Sequence, residues 1–187
     1  MTKPFRRVAA AAAAALALGA GSAIWASTSA SAAPTTPSVN TGLLPVCTAD
    51  DLSVWVNYGA AQGAAGTWYY PLEFTNTSNH TCRTWGWPGV SATNGNGDQL
   101  GDSAQRLTLY APHWVNIEAG ATAHALFSYG AAEVSTSGCK PANASMIKVY
   151  PPNQFAADYG FFSLPACTVG GGHSYLRVAA IEPGANI

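Results

Sequence analysis

Charge is what this sequence has least of: 9% of its 187 residues are Asp, Glu, Lys or Arg. Strong helix formers are scarce outside an alanine-rich N-terminal run, while Gly, Thr, Ser, Asn and aromatic residues abound. That balance favours strands and turns over helices. No βαβ rhythm is visible, which excludes a parallel α/β sheet, and there is no internal repeat. The spacings that chemistry imposes are missing too. No Cys-x-x-Cys or His-x-x-x-His pair seeds a metal site, and neither Gly-x-Ser-x-Gly nor His-Glu-x-x-His is present. His80, His113, His124 and His173 stand singly and read as solvated, as do Glu73 and Glu118. No enzyme activity and no cofactor are therefore expected.

What is present begins with an address. Met1 to Arg7 is short and basic, Val8 to Ala20 is apolar, and Ala30-Ser31-Ala32 is a small-residue cleavage signature, so residues 1–32 read as a secretory signal peptide. The apolar run is shorter than the ~20 residues of a spanning helix, and Gly19, Gly21 and Ser22 interrupt it. No cysteine follows it closely. A secreted, extracellular chain without a stable membrane anchor is the expectation. Residues 33–46, rich in Pro, Thr and Ser, form a flexible leader, and 47–187 form a single β-sandwich domain. Cleavage removes Lys3, Arg6 and Arg7, leaving Arg83, Arg106, Lys140, Lys148 and Arg177 against all 9 acidic side chains. A mildly acidic surface of this kind argues against a nucleic-acid partner.

Within the domain, Leu52 to Tyr58 alternates with Leu52, Val54, Val56 and Tyr58 on one face and Trp55 on the other, the period of a half-buried strand. Thr67 to Asn76 follows, with Trp68, Tyr70, Leu72 and Phe74 in register and Pro71 opposite them. Proline's missing N–H places that strand at an edge or a bulge. Asn94 to Asp98 signals a tight turn. Further strands are expected at Arg106 to Tyr110, His113 to Ile117, Ala121 to Tyr129, Met146 to Tyr150 and around Leu176 and Val178. Asn153 to Pro165 reads as irregular chain with room for a short helix before Gly160, and Gly170-Gly171-Gly172 as a mobile turn. Seven or eight short strands with turn chemistry between them describe an all-β, immunoglobulin-like β-sandwich of antiparallel strands.

Four cysteines in an exported domain imply two disulfides, and three connectivities are open. Sequential pairing, Cys47 with Cys82 and Cys139 with Cys167, is preferred because each bond then staples a local strand-and-loop unit. The densest stretch of the chain is Cys82-Arg83-Thr84-Trp85-Gly86-Trp87-Pro88-Gly89-Val90. There Trp87 and Val90 are expected in the core, with Trp85 one step off that register. Together with Phe74-Thr75-Asn76-Thr77, Thr81-Cys82, Cys139-Lys140-Pro141, Pro151-Pro152 and Cys167, this stretch resembles the secreted actinobacterial family catalogued as domain of unknown function 4232. The resemblance spans nearly the whole domain. It implies an extracytoplasmic, four-cysteine, immunoglobulin-like β-domain and carries over no catalytic or binding residues.

Two candidate sites remain. By alternation Trp55, Tyr69, Trp114 and Tyr150 face outward, and exposed aromatics on a β-sandwich can stack on sugar rings or partner proteins. A non-catalytic module that binds cell-wall glycan, another polysaccharide or a secreted protein is the leading reading. The alternative is a hydrolase or metal-dependent enzyme built from loops around Asp98, Asp102, His113 and Glu118. Asn94, Asn96, Asp98 and Asp102 share the oxygen spacing of a calcium loop, but the glycine is misplaced and the closing glutamate missing. A plain turn is expected there. Asn76, Asn79 and Asn143 head N-glycosylation sequons, read as coincidental in a bacterial chain.

Overall fold

A computed structural model describes residues 42–130, 138–169 and 175–187. The expected signal peptide, most of the leader, the Gly170–Gly172 turn and His173 lie outside them. The described residues are all β apart from short 3-10 turns, and no helix among them is long and apolar enough to cross a membrane.

Eleven strands form three sheets among the described residues: β1 (Leu52–Val56), β2 (Gln62–Ala64), β3 (Thr67–Asn76), β4 (Cys82–Trp85), β5 (Gly89–Thr93), β6 (Gln105–Arg106), β7 (Trp114–Ile117), β8 (Thr122–Gly130), β9 (Pro141–Tyr150), β10 (Asp158–Cys167) and β11 (Leu176–Pro183). The largest sheet runs β1-β3-β8-β11-β6 with β2 also on β3, the second runs β10-β9-β5, and β4 pairs β7 alone. This corrects the expected seven or eight strands. It also corrects the all-antiparallel pairing, because β6 lies parallel to β11. The additional strands include β2, β4 and β6, two to four residues each, too short for a period of two to show in sequence.

The inner face of the large sheet carries Tyr70, Leu72 and Phe74 from β3, Ala125 and Phe127 from β8, and Leu176, Val178 and Ile181 from β11, all buried. Against it pack Ile147 and Val149 of β9, Val90 and Ala92 of β5, and Phe162 and Leu164 of β10. Phe162 is the joint. Its ring lies 4.9 Å from Tyr70, 5.3 Å from Tyr58, 5.8 Å from Phe127 and 6.2 Å from Tyr129, mostly edge to face. Such contacts add to the area buried. Burial first, and then Tyr129, pushes the Tyr70 phenol up to about 12.

Several local expectations are corrected. Pro71 sits in an interior strand, but on that edge of β3 the β1 rungs cover Leu72 to Asn76 and the β2 rungs cover Thr67 to Tyr69. Pro71 falls in the gap, where its carbonyl still accepts the Asn57 N–H at 2.9 Å and no acceptor waits for the N–H it lacks. Tyr58 leaves β1 for a 3-10 turn and Trp68 is exposed at the start of β3. Of the expected 106–110 strand only Arg106 is extended, as the second residue of β6. No helix forms in 153–160. Instead Asp158–Cys167 is a ten-residue strand, hidden in the sequence by Gly160, Pro165 and a register shift between Phe161 and Leu164. It edges its sheet, where proline and a bulge are tolerated.

The disulfides join Cys47 to Cys82 and Cys139 to Cys167, at sequence separations of 35 and 28. Closing loops of this size stabilises the fold by roughly 3.5–4 kcal/mol each on the chain-entropy model. Beside the first, the Thr48 N–H and hydroxyl both donate to Asp51 Oδ2, at 2.8 and 2.7 Å. The backbone bond above all holds the Asp51 carboxyl below its usual range. Glu73, expected in solvent, is buried on the outer face of the large sheet. Asn57 holds its carboxylate, donating to Glu73 Oε1 and to Asn186 Oδ1, both at 2.8 Å.

Candidate functional site

The dense stretch singled out in the sequence builds a cleft. β4 and β7 form a two-stranded ribbon with Cys82 opposite Ile117, Arg83 opposite Asn116, Thr84 opposite Val115 and Trp85 opposite Trp114. Cys82, Thr84, Val115 and Ile117 are buried, so the same pleat turns Arg83, Trp85, Trp114 and Asn116 outward. Trp85 is 39% exposed and Trp114 50%. The Arg83 guanidinium lies 4.2 Å from the Trp114 ring centroid.

Past Trp85 the chain must turn sharply into β5. Gly86 does this at φ +103°, a conformation that a side chain would strain, while its carbonyl accepts the Ile181 N–H of β11 at 2.9 Å. Trp87 follows. It is half-buried rather than in the core as expected. Its indole N–H donates to the Leu107 carbonyl at 2.9 Å, and the Arg106 guanidinium lies 5.4 Å from its ring. An indole taken out of water needs a partner for its N–H, and the Leu107 carbonyl supplies it here. Val90, two residues into β5, is buried as the alternation requires.

The opposite wall comes from the end of β9. Tyr150 packs on Gly89, Pro151 and Pro152 end the strand, and Asn153 at φ +59° reaches back to donate to the Trp85 carbonyl at 2.8 Å. Phe155, 97% exposed, stands at the rim. The cleft has a volume of about 370 Å³ and is lined by Trp85, Trp87, Tyr150 and Phe155 with Arg106, Asn153 and Gln154 as its polar side chains. Such a lining offers aromatic faces for an apolar ring face to stack on, and amide and guanidinium groups to hydrogen-bond at the edge. No carboxylate or histidine is among the cleft's lining residues.

The four outward aromatics divide between two regions. Trp55 and Tyr69 lie on the outer face of the large sheet. The Trp55 indole donates to Thr75 Oγ1 at 3.4 Å, and Tyr69 lines a shallow depression with Gln62, Leu126 and Ile187. Tyr150 lines the cleft, and Trp114 faces Trp85 on the ribbon beside it. The acidic and histidine residues of the alternative site are held separately. Asp98 accepts from the Asn94 amide at 2.9 Å, His113 faces Glu182 at 3.7 Å and Glu118 is exposed in the β7–β8 turn. Asn94 Oδ1 is turned onto the N–H groups of Asn96 and Asp98, a side-chain-closed turn. Among the described residues no three His, Cys, Asp or Glu side chains are grouped to hold a metal ion. Arg106, Asn153, Gln154 and Phe155 had no signal in the sequence, since a two-residue strand and the loop after Pro151-Pro152 deliver them.

Fold and cleft together define an all-β domain with two disulfides and an aromatic-walled groove at one end of its strands. From residue 47 to 182 the chain matches a family model described as a domain of unknown function, DUF4232, and it belongs to that family. No curated protein and no solved structure matches it.

Proposed function

We propose that the chain is an exported, non-catalytic binding module of immunoglobulin-like build, and that the cleft between Trp85, Trp87 and Tyr150 takes the sugar rings of an extracellular glycan. The observation that carries this reading is the cleft lining: four aromatic side chains and three polar ones in about 370 Å³. Phe155 at 97% exposure and Trp85 at 39% leave apolar area in water, and covering it on binding is favourable by about 25 cal/mol per Å². The basic, apolar and small-residue segments of positions 1–32 and the paired cysteines support export. The two sheets meeting at Phe162 support the sandwich architecture.

The test is retention on purified peptidoglycan, chitin and cellulose, read together with intrinsic tryptophan fluorescence. Retention on at least one glycan with a change in emission, both lost in Trp85→Ala, is expected. Absence of retention on all three with unchanged emission would remove the glycan reading.

A further inference from the structure

The cleft does not end at Trp85. Trp85 also belongs to the outer face of the ribbon, where Trp114 stands directly across from it, and side chains so paired are neighbours on one face. On the other wall Tyr150 continues to Lys148, two residues back on β9 and on the same face, with its ammonium 5.1 Å from the Tyr150 ring. Aromatic surface thus runs from the cleft onto the open ribbon.

Cations follow the same path. Arg83 lies on Trp114, Arg106 on Trp87 and Lys148 on Tyr150. Beyond residue 46 the chain has basic side chains only at Arg83, Arg106, Lys140, Lys148 and Arg177, so most of its positive charge converges here. Among the described residues no acidic side chain lines the cleft or faces outward from the ribbon. Hydrogen bonding to Tyr150 raises the Lys148 pKa further, keeping that charge in place. A guanidinium held over an indole keeps N–H donors beside the ring, in position for an acid group on a sugar stacked there.

We propose that this surface binds an acidic polysaccharide, a chain of carboxylate-bearing sugars whose rings stack on Trp87, Tyr150, Trp85 and Trp114 while their carboxylates meet Arg106, Lys148 and Arg83. It rests on the glycan reading above and adds sign and length to it. The chain is acidic elsewhere, so a cationic groove selects for a polyanion by contrast with the surrounding surface. Amide side chains at the cleft edge, on a chain that is acidic outside this surface, favour a polysaccharide over a nucleic-acid strand.

The experiment is fluorescence titration of the mature protein with galacturonate oligosaccharides of increasing length, with cello-oligosaccharides of the same lengths and with oligothymidylate, at low and high salt. Galacturonate affinity rises with length, weakens with salt and exceeds the neutral series about tenfold. Arg83→Gln and Arg106→Gln, checked for unchanged melting, each weaken galacturonate binding by about threefold and narrow its advantage over the neutral series. Trp114→Ala shortens the length over which affinity grows. Equal affinity for both series, insensitive to the arginine variants, overturns the acidic assignment and leaves the glycan module standing. No binding to either series sinks both, as does preferential binding of oligothymidylate.

Discussion

Adjacent phenylalanines on β10 meet opposite fates, and replacing each by alanine tests the whole sheet-on-sheet arrangement. Phe162 is 1% exposed and Phe161 85%. Phe162→Ala removes a ring that touches four other rings across the interface between sheets. Large-to-small changes of this kind cost about 3–5 kcal/mol, and four lost ring contacts place this one in the upper half of that range. With a urea slope of ~2 kcal/mol per M, the midpoint falls by about 2 M. Phe161→Ala removes a ring that mostly faces water and shifts stability by less than about 0.5 kcal/mol. Urea denaturation of both variants beside the parent, followed by near-ultraviolet circular dichroism, gives the comparison. Similar losses in the two variants, or the larger loss at Phe161, would refute the register of β10 and with it the packing of the two sheets.

Three other outcomes are expected. Replacing Cys47 and Cys82 together by alanine lowers stability by about 3.5–4 kcal/mol, because the bond closes 35 residues and anchors the start of the ribbon; a loss under about 1 kcal/mol in the same denaturation assay contradicts this. Burial pushes the phenols of Tyr70 and Tyr175 up to about 12 from an ordinary 10. The folded state therefore holds these protons more tightly, so their stabilising contribution is full below pH 10 and is lost as the pH climbs from 10 to 12. Melting temperatures across that window fall less steeply in Tyr175→Phe, and an unchanged slope would exclude the linkage. Gly101→Ala places a Cβ against the Cys167 carbonyl at a backbone φ of +71°, costing about 1–2 kcal/mol for the left-handed conformation and a further 1–3 for the collision. A melting temperature equal to the parent's would show that this loop is free to move.

Much of the frame can be traced to residues close together in the chain. Leu52, Val54 and Val56 alternate with Ser53 and Trp55, and the burial of β1 follows that alternation position by position. Asn94 and Gly97 make their turn through local bonds. Where alternation fails as a guide, the cause is a partner far along the chain. Its neighbours' alternation points Trp87 inward, yet the Leu107 carbonyl, 20 residues on, accepts from its indole and the ring stays half-buried. The same alternation points Glu73 outward, but Asn57, itself bonded to Asn186, donates to its carboxylate and Glu73 is buried. β10 carried no usable period because Gly160, Pro165 and paired phenylalanines break it, and only β9 alongside makes it a strand.

The division is clearest at the stretch from Cys82 to Val90. By itself the sequence determined the all-β character of the domain, because sparse charge and weak helix formers leave strands and turns as the conformations that bury its apolar residues. It also determined that this stretch would be constrained, since a cysteine, two glycines and a proline in nine residues restrict the backbone wherever they fall. Only tertiary structure decided that the constraint makes a cleft. Its far wall, Tyr150 to Phe155, lies some sixty residues downstream, and its cation at Arg106 arrives on a two-residue parallel strand. Contacts between segments so distant leave no periodicity in either one, and the site exists only once the sheets have packed.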